Sequence, residues 1–260
     1  MSTGVARLRA AFRPGRATVV AYVPILDPAS FDARTLDAFR DAGVGVLEVG
    51  IPSRDPWMDG AEVRDSMARA LDAGATAERV AEALGAWRAT QAGGPAIIWF
   101  SYPELPLDAL GRAAAMGAID GVLMLEPWRT VGTDALTAAT REAEIGLCAF
   151  LPWAPTDRDR ELARAATGYV MVQARPGVTG VDGAPADPTD GVRLARSLAP
   201  GVPVVAGFGV SGPDDVRRLA ATGVDGVVVG SAVIRAGRAG GADAIHGLLA
   251  GLIAATGAAA

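Results

Sequence analysis

Eight times along the chain a short apolar, β-branched run gives way to a run rich in Ala and Arg, and this alternation restricts the available folds more than any single motif. Strands are predicted over 18–23, 44–49, 96–101, 121–125, 147–151, 169–173, 202–206 and 226–229. Helices are predicted over 31–41, 61–71, 77–89, 107–116, 134–143, 157–166, 189–198 and 214–222, with Thr156 or Asp157 capping the one that starts at 157. Eight strand-helix units in a chain of 260 residues fit a (β/α)8 TIM barrel, with an open doubly wound sheet as the alternative. No composition break or Ser/Gly-rich linker divides the chain, so residues 1–260 are read as one domain.

The stretch 44–60, Val-Gly-Val-Leu-Glu-Val-Gly-Ile-Pro-Ser-Arg-Asp-Pro-Trp-Met-Asp-Gly, carries the first chemical signal. It places Glu48 towards the end of a buried strand and Asp59 on the Pro- and Gly-punctuated loop that follows. A carboxylate in an apolar strand is costly to bury as an ion, so it is paired, protonated or used in chemistry. A structural acid satisfied by backbone donors is an equal reading of Glu48 alone. The second acid on a hinged loop favours an acid/base pair over one mouth.

What the chain lacks narrows the chemistry. All 24 basic residues are arginine, so no lysine can form a Schiff base, and a single histidine, His246, gives no catalytic zinc cluster. The one cysteine, Cys148, sits in an apolar strand and reads as a small core residue. No cofactor or metal is expected. A net charge of -5 with no basic cluster argues against nucleic acid. No apolar run is long enough to span a bilayer or to act as a signal peptide, so a cytoplasmic protein is expected.

Glycines follow the seventh and eighth strands in Gly207-Phe-Gly-Val-Ser211 and Gly230-Ser-Ala232. With Gly180 from the long loop after strand six, the backbone at Gly209, Gly230 and Ser231 forms an expected phosphate cradle that needs no cationic side chain. A short helix after strand eight would aim its positive end there. Singly, these glycines could serve only tight turns. Along the same mouth the strand ends carry Tyr22, Phe100, Tyr102, Leu123, Phe150, Met171 and Phe208, an apolar slot suited to a flat ligand with a phosphate tail.

The motifs Leu-Glu-Val-Gly-Ile-Pro-x-x-Asp-Pro-x-x-Asp-Gly, Arg-x-Gly-Val-Thr-Gly, Gly-Phe-Gly-Val-Ser and Gly-Ser-Ala, in this order and over nearly the whole chain, resemble the tryptophan synthase alpha chain family. The resemblance implies retro-aldol cleavage of indole-3-glycerol phosphate to indole and glyceraldehyde 3-phosphate. It implies that Glu48 protonates indole C3 and that Asp59 receives the indole N–H. It further implies that Thr179 closes over the site, that Tyr169 lies near the Glu48 carboxylate, and that Gly180, Gly209, Gly230 and Ser231 contact phosphate. A tryptophan synthase beta chain is the implied partner.

Departures from the family pattern cluster in the loops after strands two to five. Ser53-Arg54 stands in place of an aromatic-Ser pair, Trp57-Met58 in place of smaller residues, and Glu104 in place of Asn. Glu126-Pro-Trp128 and Pro152-Trp153 add bulk, and Met171 stands where tyrosine is common. In the family, the loops after strands two and three face the beta chain. Two readings follow: an alpha subunit with drifted contacts, or a stand-alone lyase supplying indole, or a substituted indole, to specialised metabolism. A catalytically silent phosphate-binding barrel acting as a partner protein is disfavoured by the retention of both acids. A sugar-phosphate isomerase is disfavoured by the apolar slot.

Overall fold

The computed structural model describes residues 4–32, 34–91, 93–177, 187–207 and 209–257. Thr179, Gly180 and Phe208, all expected in the site, lie outside the described residues. The elements run α1 (Gly4–Ala11), β1 (Thr18–Pro24), α2 (Thr35–Ala42), β2 (Val46–Gly50), α3 (Ala61–Asp72), α4 (Ala77–Ala89) and β3 (Ala96–Ser101). They continue α5 (Leu107–Ala115), β4 (Gly121–Met124), α6 (Thr133–Glu142), β5 (Gly146–Leu151), α7 (Asp157–Ala165), β6 (Val170–Gln173) and α8 (Thr189–Leu198). The last are β7 (Val204–Gly207), α9 (Pro213–Ala220), β8 (Gly226–Val229) and α10 (Ser231–Ala255).

The strands are all parallel and pair in sequence order, and β8 returns to β1 through Thr18↔Gly226 to Ala21↔Val229. This is the closed eight-stranded TIM barrel and not the open sheet. Nearly every strand residue is buried, because the helices cover the outer face while side chains fill the inside. Thr156 caps α7 in a reciprocal arrangement with Asp159, and Thr76 caps α4.

Three expectations shift. Strand β2 runs over Val46–Gly50, so Glu48 sits at its middle and not its end. Helix α2 starts at Thr35 because Asp27 organises the preceding residues into turns, accepting from the amides of Ala29 and, through its carbonyl, of Ser30 and Phe31. Helix α1 was not foreseen. It contributes one fully buried residue, Leu8, too little to mark an apolar repeat. Leu8 packs at the strand starts beside Gly121 and Gly146, and a Cβ added at Gly121 would crowd it. α10 is longer than the short helix expected, yet Gly240 and Gly241 leave helical geometry and divide it, so its first segment is short.

Candidate active site

The C-terminal ends of the strands enclose a cavity of about 850 Å³, open mouth included. Glu48 and Asp59 both line it, so the two acids share one chamber. The route each takes there is different.

Glu48 points inward from β2, in register with Tyr22 of β1 and Ile98 of β3. It is 1% exposed. Tyr169, just before β6 and on the far side of the barrel, donates its hydroxyl to Glu48 Oε1, while Oε2 has no hydrogen-bond partner among the described residues. Burial pushes the Glu48 pKa up to about 8; the Tyr169 hydroxyl opposes this and the charge of Asp59 adds to it. A carboxyl group in this state is still protonated near neutral pH and can give its proton away.

Asp59 arrives from the loop between β2 and α3 and is 4% exposed. Tyr102, beyond the end of β3, donates its hydroxyl to Asp59 Oδ2 at 2.6 Å. Trp57 packs edge-on against Tyr102 with ring centroids 4.6 Å apart, and the Arg129 guanidinium lies 4.6 Å over Trp57 while pairing with Glu126. Ser53 donates to the Glu104 carboxylate and accepts from the Asp55 amide. The departures at Ser53, Trp57, Glu104 and Glu126 are therefore partners of one another, or of Tyr102 and Arg129, across three loops.

Tyr22, Phe100, Phe150 and Met171 line the cavity with the two acids, joined by Met58, Val63 and Leu125, and form its apolar wall. Tyr102, Leu123 and Tyr169 are not on this wall. The two tyrosines stand behind the acids and hold them. Leu123 is fully buried two residues before Leu125, on the same face and one layer deeper. Cys148 is fully buried and burial pushes its thiol pKa up, as befits a core residue.

From the ends of β7 and β8, Gly207, Gly209, Gly230 and Ser231 also line the cavity, with Ser231 opening α10. The positive end of that helix therefore faces the chamber. Gly209 has φ +88°, a conformation that calls for glycine, and the Arg175 guanidinium lies against it, 2.8 Å from where a Cβ would stand. Arg175 and Arg235 also line the cavity, which corrects the expectation of a cradle without cationic side chains. The sequence did hold a signal for each. Arg175 opens the Arg-x-Gly-Val-Thr-Gly motif, and Arg235 lies one helical turn after Ser231 and so on its face.

Comparison with known proteins agrees with this arrangement. Residues 8–248 match the family model described as tryptophan synthase alpha chain. The chain is 33% identical to the tryptophan synthase alpha chain of Gluconobacter oxydans, covering 90% of this chain and 88% of that one. It is 35% identical to that of Opitutus terrae, covering 84% and 83%. Among solved structures, a mutant tryptophan synthase alpha-subunit from Pyrococcus furiosus superposes with TM-score 0.76 at 26% identity, covering 94% of this chain and 99% of that one. Mycobacterium tuberculosis tryptophan synthase superposes with TM-score 0.76 at 25% identity, covering 97% and 96%. By the length of these matches and the placement of its acids and glycines, the chain belongs to the tryptophan synthase alpha chain family.

Proposed function

We propose that the chain is a lyase that cleaves indole-3-glycerol phosphate to indole and glyceraldehyde 3-phosphate, with Glu48 and Asp59 as its catalytic pair. The observation that carries this reading is one cavity lined by a buried acid whose pKa is raised by burial, a second acid, and a glycine- and arginine-lined helix end. The protonated Glu48 gives its proton to indole C3, which converts the ring to an iminium whose N–H is held by Asp59. The bond from C3 to the first chain carbon then breaks, its electrons returning to the ring as indole. The hydroxyl on that carbon becomes the aldehyde, and its proton goes to the Glu48 carboxylate, which restores the starting acid.

The phosphate end is assigned to the backbone at Gly209 and Gly230, to Ser231 and the start of α10, with Arg175 and Arg235 adding charge. The apolar wall of Tyr22, Phe100, Phe150 and Met171 would take the indole ring. Thr179 and Gly180 keep the roles that the family resemblance implies, and Phe208 keeps its expected place in the apolar slot. This chemistry asks nothing of a metal or cofactor.

Within this reading, a lyase that works without a beta chain is favoured by one observation over an alpha subunit that needs it. Asp59 is already braced in the cavity by Tyr102, and the loops around it are tied together by Trp57, Arg129, Ser53 and Glu104 of the same chain. Turnover of indole-3-glycerol phosphate by the purified chain, with and without a tryptophan synthase beta chain, tests both levels. No cleavage under either condition would remove the lyase assignment. Cleavage that rises only on adding the beta chain would restore the subunit reading.

A further inference from the structure

Tyr22 was expected to offer the cavity an apolar ring. Its hydroxyl is the part that this expectation leaves unexplained. The residue is 5% exposed, the oxygen is shielded from solvent, and it has no hydrogen-bond partner among the described residues. A buried hydroxyl without a partner costs stability, and phenylalanine would fill the same space without that cost.

Two glycines frame this side chain. A Cβ at Gly230, on the phosphate side, would lie 3.1 Å from Tyr22 Cδ1; a Cβ at Gly50, on the acid side, would lie 2.4 Å from Tyr22 Oη. The phenol therefore spans from the cradle to the acids, and the missing side chain at 50 is what leaves room for the hydroxyl. Gly50 is two residues past Glu48 on the same strand face. Phe100 packs edge-on against the ring, centroids 5.4 Å apart, and fixes its direction. Burial, and after it the charges of Asp59, Tyr102 and Glu48, hold the phenol pKa well above its usual value, so it remains a neutral donor.

In the substrate assigned above, the segment between phosphate and ring is a three-carbon chain bearing two hydroxyls. We propose that Tyr22 is a substrate-positioning residue whose hydroxyl donates a hydrogen bond to an oxygen of that chain. This inference rests on the lyase reading and adds a polar contact between its two ends. Glu48 accepts from Tyr169 through Oε1 and Asp59 from Tyr102 through Oδ2, and the Tyr22 hydroxyl is bonded to neither.

Tyr22→Phe keeps the ring and removes only the oxygen. Two ligands are measured on Glu48→Gln protein, in which intact substrate persists, with and without the second change: indole-3-glycerol phosphate, and indole-3-propanol phosphate, which lacks the chain hydroxyls. The expected result is a dissociation constant for the substrate raised about 5- to 10-fold, an unchanged one for the analogue, and a melting temperature that stays level or rises. Equal weakening for both ligands, or none for the substrate, overturns the proposal. If the protein binds neither ligand before Tyr22 is changed, the lyase reading itself has failed and this inference goes with it.

Discussion

Glu48 and Asp27 are both buried in the upper part of this barrel, and their surroundings are opposite. Asp27, after β1, is fully buried and saturated with donors: Arg69 Nε and Nη2 at 2.9 and 2.7 Å, Ser66 at 2.7 Å, Ser30 at 2.6 Å and the Ala29 amide at 3.0 Å. Burial alone would raise its pKa, but the Arg69 pair, the two serines and the amide outweigh it and hold the group at about 2. Among the described residues Glu48 has one donor and one bare oxygen, and burial wins. Both side chains are shielded from solvent, but Glu48 is the more strongly desolvated of the two and Asp27 has the larger supply of hydrogen-bond donors. The first arrangement makes a permanent anion that ties the β1 loop to α3, the helix beginning two residues after Asp59. The second leaves an acid able to release and recover a proton.

The largest test of this contrast is Glu48→Gln. Removal of the proton donor is expected to lower turnover by roughly 10²- to 10⁴-fold, and turnover within a few-fold of wild type would refute the assignment. Stability should move the other way. Between the unfolded pKa near 4.5 and the folded value of about 8, the native protein holds a proton that the unfolded chain has released. Wild-type stability therefore declines as pH rises through that window. Glu48→Gln removes the decline, so urea unfolding at pH 9 compared with pH 5 should favour the variant by on the order of a few kcal/mol.

Asp27→Asn is expected to do the reverse, costing roughly 2 kcal/mol of stability near neutral pH while turnover per folded molecule stays within a few-fold. Its folded pKa is lowered, so the wild-type contribution is complete above the unfolded value and fades as pH falls through about 2. The variant's stability deficit should accordingly shrink in acid. A deficit independent of pH would mean that packing, and not charge, is what Asp27 supplies.

The contrast also separates what the sequence exposes from what it hides. Glu48 is legible because an acid interrupts an apolar, β-branched run, and Asp59 because it follows within a Pro- and Gly-marked loop. The barrel is legible because its periodicity repeats eight times. Asp27 is not legible: its side-chain partners Ser66 and Arg69 lie 39 and 42 residues away on a helix whose own pattern shows nothing unusual. Tyr102 could be seen near the mouth, but not that its hydroxyl would face Asp59, because that depends on the curvature of the closed sheet; Tyr169 was placed near Glu48 by the family resemblance and not by the residues alone. For the same reason the replacements at Ser53, Trp57, Glu104 and Glu126 look like scattered drift along the chain and become a set of mutual contacts only in three dimensions.

A finer test changes the donor count at Glu48 by one. Tyr169→Phe removes the only hydrogen bond to that carboxyl group among the described residues and leaves the ring in place against Phe12, centroids 6.0 Å apart. The Tyr169 hydroxyl lowers the Glu48 pKa, so its loss should raise that pKa further above about 8. Because the protonated acid is the active form, the kcat/KM profile of the wild type should fall as pH passes about 8, and in Tyr169→Phe the fall should begin at higher pH. Near neutral pH both proteins hold the proton, so any loss of activity there measures how well the side chain is aimed. A descending limb that moves to lower pH, or does not move, would mean that the group titrating in turnover is not Glu48. The contrast with Asp27 would then describe two buried acids, neither of which supplies the proton.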